Sequence, residues 1–374
     1  MTLGVTVTTI ERRPNIAGLV MTAVVLMAGG LVWVVARSQG DNEVVPSTAA
    51  AVSSTSTRAA ASSASSSAST VPASVLDRAL PSASGVVLFA HIADPSAVLR
   101  IDVDRGTVVT TRVGPVTSTA PAFLAVGPSA AVVRPYDNVS GYVVADSGSV
   151  SDPAGLLSGG TSMVCSDGRR DRVWLAHESL VQVGYDGSLK AQVGGAQQLL
   201  PVGCDGAGEM LYRSGSDTLV TAEGPPTLIT TNKVIAAGPQ TFLVRDCAAT
   251  AACALTVIDR TSGQRRSLTV DSAAVTPPSF PVLAEGRIGS ISPDGHTAAV
   301  FRAQREVVFV DLVTGFGQGI SAIGGEFQSF VWSPNSRYLF WITGNNKLFA
   351  FDRDTRDFIP LGTNNILALA GRLT

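Results

Sequence analysis

The sequence predicts an all-β domain in which one four-stranded unit recurs around a ring, as in a β-propeller, preceded by a transmembrane α-helix and a flexible linker. Three observations support this prediction. Short alternating apolar strands fill residues 83–374 without helical periodicity, a turn phrase recurs with a mean spacing of about 42 residues, and an uncharged apolar run lies near the N-terminus. The fold class is therefore predicted from periodicity alone, before any chemistry is considered.

The apolar run at residues 16–36, "IAGLVMTAVVLMAGGLVWVVA", contains no charge and is long enough for a helix to cross the roughly 30 Å core of a bilayer. Arg12 and Arg13 precede it, whereas Asp41 and Glu43 follow it, so the N-terminus is predicted to be cytoplasmic. A cleaved signal peptide is the alternative, but its apolar core is usually only about 7–15 residues long. We predict a cytoplasmic tail at 1–14, a transmembrane helix at 15–36 and a cell-membrane protein whose C-terminal domain is extracytoplasmic.

A linker is predicted at residues 37–82. Its central part, "PSTAAAVSSTSTRAAASSASSSASTVPA", is almost wholly Ser, Thr and Ala. Such a segment buries too little apolar area to offset its ordering entropy, so we expect an extended, mobile tether. The propeller itself is predicted to span 83–374.

A recurring phrase, an apolar strand that ends in an acid and is followed by a Gly-type turn, defines the repeat. The mean spacing of its acids is about 42 residues, which suits four short strands and their turns. The acids are Asp102, Asp146, Asp186, Glu223, Asp259, Asp311 and Asp352. They predict seven blades; six or eight stay open, because the unit containing residues 276–287 is long and "TLVTAEG" is degenerate.

A second phrase lies one strand earlier in the unit, and it is clearest as "ISPDGHTAAVF" and "WSPNSRYLFW", around Pro293 and Pro334. Together with "VVFVDLVTG" these phrases resemble the WD40-like repeats of TolB-type β-propellers. The resemblance implies the propeller fold and a partner protein in an envelope complex. Because the first unit lacks an inner strand and "NILALAGRL" (365–373) is left over, we expect the C-terminal strand to complete the first blade.

The four cysteines all follow the predicted membrane helix, on the side where disulfides persist. In the repeat alignment Cys165 and Cys204 lie at nearly equivalent turns of adjacent units, while Cys247 and Cys253 flank one short loop. The symmetry of the repeat therefore selects the pairs Cys165–Cys204 and Cys247–Cys253. A metal site is the alternative, although no histidine pair or CxxC motif accompanies these cysteines.

No catalytic motif is found: the chain has no GxSxG elbow, no HExxH and no P-loop, and its three histidines lie in different repeats. We therefore predict no catalytic residue, no metal site and no cofactor. Charged residues make up only 15% of the chain, the net charge is −2 and the basic residues form no blocks, so nucleic acid is not expected as a partner.

One pattern suggests a binding site. When the second strand of each unit is aligned on its end, most of the residues at that position are basic or can become so. They are His91, Arg134, His177, Arg213, Arg245, Arg302 and Trp341. Equivalent positions in a propeller form a circle, so we predict a basic ring that binds an anionic or polyhydroxylated partner. The alternative is that each arginine only reaches water or the carbonyls of its own loops.

These observations predict a non-catalytic binding or scaffold module for an envelope protein, a glycan or an anionic cell-wall or lipid ligand. Two alternatives remain: a propeller hydrolase or lactonase that holds a metal on the axis, and a sensor ectodomain that relays a signal through a partner.

Overall fold

The computed structural model describes the chain in seventeen segments, all within the compact unit Ser62–Thr374. They are residues 70–93, 96–113, 122–135, 141–151, 164–166, 169–176, 179–193, 199–205, 208–215, 217–221, 226–246, 254–268, 288–303, 306–315, 317–321, 330–343 and 345–373. Every regular element among them is a β-strand, and none of the residues described belongs to a helix long and apolar enough to cross a membrane. The all-β prediction is confirmed; the predicted tail at 1–14 and helix at 15–36 lie outside these segments.

The strands of the first half are short, as the alternating apolar runs predict. They are β1 (Thr70–Val75), β2 (Val86–Ala93), β3 (Ser96–Asp102), β4 (Thr107–Arg112), β5 (Ala122–Val126), β6 (Ala130–Pro135), β7 (Tyr142–Ala145), β8 (Val150–Ser151), β9 (Val164–Ser166), β10 (Arg172–Ala176), β11 (Leu180–Gly184), β12 (Leu189–Val193), β13 (Leu199–Cys204), β14 (Met210–Ser214), β15 (Asp217–Thr221) and β16 (Thr227–Thr230).

The second half continues in the same way. Its strands are β17 (Lys233–Ala237), β18 (Thr241–Asp246), β19 (Ala254–Asp259), β20 (Arg265–Leu268), β21 (Gly289–Ile291), β22 (Thr297–Ala303), β23 (Glu306–Asp311), β24 (Gly317–Ser321), β25 (Phe330–Trp332), β26 (Tyr338–Ile342), β27 (Leu348–Asp352), β28 (Phe358–Pro360) and β29 (Ile366–Leu373).

Consecutive strands pair antiparallel into four-stranded meanders. We name them A (β29, β2, β3, β4), B (β5–β8), C (β9–β12), D (β13–β16), E (β17–β20), F (β21–β24) and G (β25–β28). Meander A carries β1 as a fifth strand, and E and F join through their first strands into one sheet of eight. The repeat unit predicted from the sequence is therefore one meander.

The turn phrase of the repeat has a simple physical basis, which meanders E and F show. Asp259 and Asp311 end the third strand, and each carboxylate accepts hydrogen bonds from two backbone N–H groups of its own turn, at 2.7–3.1 Å. Gly263 and Gly315 close these turns at φ of 68° and 78°. This left-handed backbone region is unfavourable for residues that have a side chain. The acid and the glycine recur because each turn needs both.

The apolar side chains arrange the meanders in a closed ring. Successive residues of the second strand enter opposite faces of the sheet: Val86 and Leu88 pack against meander G, whereas Val87 and Phe89 pack against B. Further clusters join B to C, C to D, D to E, E to F and F to G. Each meander thus buries both faces against its neighbours in the chain, which is the packing of a β-propeller.

The ring closes where the sequence predicts. Strand β29 pairs antiparallel with β2 from Leu373 opposite Val86 to Ile366 opposite Ile92, so the C-terminal strand completes meander A. The Arg372 guanidinium lies 4.7 Å from the centre of the Phe89 ring and donates to the Asp146 carboxylate at 2.6 Å. Side chains thereby fasten the C-terminal strand to meander B as well as to A.

Residues 70–82 are part of the propeller, so the linker prediction extends too far. Strand β1 pairs with β4 at the outer edge of meander A, and Leu76 is buried in the cluster between A and G. The register of β1 shifts between Val71 and Ser74, and Pro72, which has no N–H to donate, lies inside this shift. A proline is tolerated there because an edge strand forms a ladder on one side only.

Meanders E and F approach more closely than other neighbours, because β17 pairs parallel with β21, Ala236 opposite Gly289 and Ala237 opposite Ser290. A Cβ on Gly289 would lie 2.3 Å from the Ala299 carbonyl oxygen. Ala299 lies on β22, so glycine at this position permits the close approach of β21 and β22 within meander F.

Candidate functional site

A backbone hydrogen bond at the first turn gives a fixed reference for comparing the meanders. The N–H at the end of the first strand, or just after it, donates to a carbonyl next to the start of the second strand. The carbonyls belong to Ala130, Glu209, Thr241, Thr297 and Tyr338 in B, D, E, F and G. Four residues further on stand Arg134, Arg213, Arg245, Phe301 and Ile342, respectively. Three of the predicted ring residues are therefore structurally equivalent.

Trp341 and Arg302 are not equivalent to these arginines. Arg302 lies one residue after the common position, and Trp341 lies one residue before it, so Trp341 belongs to the opposite face of its strand. Trp341 is buried, and its ring lies 6.1 Å from that of Phe349 and 5.7 Å from that of Phe358. Alignment on strand ends misplaced Arg302 because β22 continues to Ala303. Trp341 is a core residue and is not part of the basic ring.

His91 and Arg134 are buried rather than displayed, with exposed fractions of 0% and 3%. Neither imidazole nitrogen of His91 has a hydrogen-bond partner in the part of the chain that the structure describes, and burial lowers its pKa to about 4. Burial also lowers the pKa of Arg134. The continuous exposed ring predicted from the sequence is thus interrupted in meanders A and B.

Several predicted residues cannot be placed. His177, Cys247 and Cys253 lie outside the described residues, as do the side chains of Cys165 and Arg302. Cys204 is disulfide-bonded. The pairs Cys165–Cys204 and Cys247–Cys253 stay predictions.

The structure does bring Arg213 and Arg245 together with a third cation, Lys233. Lys233 begins β17 and stands directly opposite Arg245 in the antiparallel register of β17 and β18. Directly opposed residues have Cβ atoms only about 4.5–5.5 Å apart, and two like charges at that distance destabilise the pair. Arg213, from meander D, is close enough to act on Lys233 electrostatically. We call these three residues the basic cluster.

None of the three residues of the basic cluster forms an ion pair with an acid among the residues that the structure describes. Partial desolvation of the ammonium group, followed by the charges of Arg245 and Arg213, lowers the pKa of Lys233. The carboxylate next to Arg245, that of Asp246, accepts a hydrogen bond of 2.6 Å from the Asn232 amide. Arg245 Nε is buried without a hydrogen-bond partner among the described residues. The cluster therefore concentrates positive charge around one buried donor that has no partner among the described residues.

Exposure decides which cluster atoms a ligand could reach. Arg213 and Lys233 are exposed and Arg245 is partly buried behind them. The only hydrogen bond described for the Arg213 guanidinium is a long one, 3.4 Å, to the Gly215 carbonyl oxygen. Two accessible cations and one partly buried guanidinium can bind an anion from several directions.

Sequence reasoning missed Lys233 because only second strands were aligned. A partial signal was present: Lys233 stands five residues before Gly238, whose N–H closes the turn, and Arg245 stands four residues after the accepting Thr241. A regular hairpin register would have placed Val234 opposite Arg245, and the irregularity of β17 between Val234 and Ala236 brings Lys233 there instead. No group of three or more His, Cys, Asp and Glu side chains that could hold a metal ion occurs within the described segments.

Solved structures with a similar arrangement include TolB from Acinetobacter baumannii, 14% identical over 77% of this chain and 66% of that one, with a TM-score of 0.40. AztD from Citrobacter koseri is 15% identical over 76% and 83%, with a TM-score of 0.42. The dihydro-heme d1 dehydrogenase NirN is 13% identical over 79% of each chain, with a TM-score of 0.43.

No protein-family model and no curated protein matches the chain. The low identities to these structures carry no information about activity. The pairing and packing of the strands are themselves those of a propeller. The neighbours include TolB proteins, while membership of a WD40-like repeat family stays a prediction.

Proposed function

We propose that the protein is a membrane-anchored, extracytoplasmic β-propeller that acts as a non-catalytic binding module and holds an anionic group at the basic cluster. The observation that supports this function is the direct opposition of Lys233 and Arg245 with Arg213 nearby. Such an arrangement costs stability unless an anion occupies it, and an anion would add charge-assisted hydrogen bonds.

The architecture we propose for this module has seven blades, one for each meander A to G, at the end of a membrane helix at 15–36 and a Ser/Thr/Ala-rich tether. Support for the count comes from the seven recurring acids and from the order of the strands. Support for the anchor comes from the uncharged run at 16–36 and the two arginines before it. We further propose that disulfides join Cys165 to Cys204 and Cys247 to Cys253.

The anion is a phosphate-type group, whether free or carried by a lipid or a cell-wall polymer. Guanidinium groups bind such oxygens through paired hydrogen bonds, and an ammonium group contributes a compact charge beside them. Arg134 is excluded from this role because it is buried.

To test the proposal, the full-length chain is reconstituted in phosphatidylcholine nanodiscs and titrated calorimetrically with glycerol phosphate; capture of added phosphatidylglycerol vesicles is measured in parallel. We expect a double variant, Arg213→Gln with Lys233→Gln, to lower the affinity about tenfold or more for whichever probe the parent chain binds. Binding of glycerol phosphate alone identifies a soluble ligand, and capture of vesicles alone identifies a lipid surface.

The matched control removes the same charges elsewhere, with Arg105→Gln and Lys347→Gln, both on exposed turns of other meanders. The proposal fails if neither probe binds the parent chain, if the cluster variant binds as the parent does, or if the control variant loses as much affinity as the cluster variant.

A further inference from the structure

A cavity of about 350 Å³ lies between meanders F and G, whereas the residues of the basic cluster come from D and E. Its lining comes from the turn before β22, from the end of β23 and from the turn after β27. The volume lies within the range of about 300–1,000 Å³ that is usual for small-molecule sites. This cavity is independent of the proposed anion site and has no assigned role.

The floor of the cavity is aromatic. Phe309 and Phe351 stack with ring centres 4.5 Å apart and an angle of 24° between their planes. Val313, which is 60% exposed, extends the apolar lining toward solvent. A ligand with an apolar body would bury this surface, whereas a bare inorganic anion would not.

Most charges around the cavity are already compensated. Arg353 Nη1 donates to Asp294 Oδ2 at 2.7 Å, and Asp354 Oδ2 lies 3.5 Å from Arg337 Nε. The Asp311 carboxylate accepts from two N–H groups of its own turn, and although partial burial alone would raise its pKa, these hydrogen bonds hold the pKa below its ordinary value. The Asp311 carboxylate on the lining therefore disfavours a doubly charged ligand.

Arg356 differs from these groups. It lines the cavity, is exposed, and forms no ion pair with any residue that the structure describes. Its backbone is in the left-handed region, with φ of 63°, and its N–H donates to the Asp352 carbonyl oxygen at 2.7 Å. A long side chain is rare in this conformation, and strained residues of this kind concentrate at functional sites. The fixed turn presents the guanidinium at the edge of an aromatic floor.

We propose that this cavity binds the carboxyl terminus of a peptide chain whose last residue is aromatic or large and aliphatic. The side chain of that residue contacts Phe309 and Phe351, and its carboxylate pairs with Arg356. A monocarboxylate fits better than a phosphate, because the Asp311 carboxylate repels a second negative charge. Capture of a terminal carboxylate beside an apolar pocket is a recurring form of peptide recognition.

The experiment uses two probes that differ only in charge, N-acetyl-phenylalanine and its amide, with the full-length chain in a neutral detergent. Binding is measured by calorimetry and by the fluorescence of Trp332, whose ring lies 6.3 Å from that of Phe309. We expect the free acid to bind about tenfold more tightly than the amide, because only the carboxylate can form charge-assisted hydrogen bonds with Arg356. N-acetyl-glycine, which lacks the aromatic body, is expected to bind more weakly than either.

Two variants locate the binding. Arg356→Asn keeps a residue that tolerates positive φ and should abolish the preference for the acid, while Arg356→Lys keeps the charge and should retain part of it. Arg105→Gln, on the corresponding turn of meander A, is the control and should change nothing. The proposal is overturned if neither probe binds, if acid and amide bind equally to the parent chain, or if Arg356→Asn retains the preference.

Discussion

The two turns that open the second strands of meanders F and G, Ser292–Gly295 and Ser333–Ser336, have the same internal hydrogen bonds. Each serine hydroxyl donates to the side-chain oxygen two residues on, at 2.5 Å to Asp294 and 2.6 Å to Asn335. Each hydroxyl also accepts from the backbone N–H five residues on. An aspartate and an asparagine are interchangeable for this purpose, because only the shared Oδ1 oxygen takes part.

The turns differ in what their second side-chain atom meets on the next meander. Asp294 Oδ2 accepts from Arg353 Nη1 of meander G at 2.7 Å, whereas Asn335 Nδ2 donates to the Ala83 carbonyl oxygen at 2.9 Å. The local turn thus needs an Asx residue, and the neighbouring blade decides between the acid and the amide. The serine and the Asx residue that the two motifs share form the turn. The choice between aspartate and asparagine depends on the group that the turn contacts on the next meander.

The largest effect is expected from removing what the turns share. Ser292→Ala and Ser333→Ala each leave a backbone N–H without its acceptor at a position where the hydroxyl is fully buried, at a cost of about 1–3 kcal/mol. Ser333→Ala should cost slightly more, because the N–H of Tyr338 is buried more deeply. Urea unfolding of the full-length variants measures both losses; a loss in only one turn would break the equivalence.

The next effect concerns the fourth residue, where the turns differ in sequence but share positive φ. Gly295→Ala should cost about 1–2 kcal/mol, because φ is 73° there. Ser336, at φ of 60°, accepts a hydrogen bond of 2.9 Å from the N–H of Asp294, which offsets its strain. Ser336→Gly should therefore leave stability almost unchanged, and a clear gain in the melting temperature would show that the hydrogen bond contributes nothing.

Exchanging the acid for the amide in meander F tests the contact between blades and its dependence on pH. Asp294→Asn keeps the turn but loses the ion pair with Arg353, at a cost of about 1 kcal/mol near neutral pH. Although burial opposes the shift, hydrogen bonds from Arg353 and Ser292 lower the pKa of Asp294, so its contribution is present above the unfolded value of about 3.9 and is lost as the pH falls through the lower folded pKa.

The deficit of the Asp294→Asn variant relative to the parent chain should accordingly shrink as the pH falls below about 4, because the parent's advantage disappears there. Thermal unfolding of both proteins across this pH range measures the difference. A deficit that stayed constant down to the lowest pH would mean that Asp294 is not the group whose ionisation stabilises the contact.

The smallest effect is expected from the reverse exchange in meander G. Asn335→Asp places a carboxylate oxygen against the Ala83 carbonyl, but both groups are exposed to water, so the cost should be about 0.5–1 kcal/mol. The melting temperature should fall only slightly. If Asn335→Asp proved more damaging than Asp294→Asn, the exposed contact would be the more important of the two.

The sequence predicted much of this architecture, because turn chemistry and strand periodicity are local properties. The recurring acids lie at turns such as those of Asp259 and Asp311, and the leftover C-terminal strand pairs with β2 as expected. Strand β1 was assigned to the tether because its Ser/Thr/Ala-rich surroundings gave no apolar pattern; its pairing with β4 is a long-range property.

The candidate site was predicted less well, because side-chain position depends on register and burial. A one-residue difference in register moved Trp341 into the core, and burial removed His91 and Arg134 from the surface. Lys233 lies opposite Arg245 only because the register of β17 shifts between Val234 and Ala236. Alignment of the repeats identified basic residues, but only the three-dimensional structure shows which of them lie close together.

Meander A has a mechanical consequence, since both of its edges are occupied by chain ends of the propeller. A pull that arrives along the residues before Thr70 loads β1 at the outer edge, three strands away from the pairing of β29 with β2. Loss of the pairing between β1 and β4 would leave the closure of the ring intact, because β29 stays paired with β2 at the other edge of the sheet. The order of the strands therefore separates the entry of the chain into the propeller from the pairing that closes the ring.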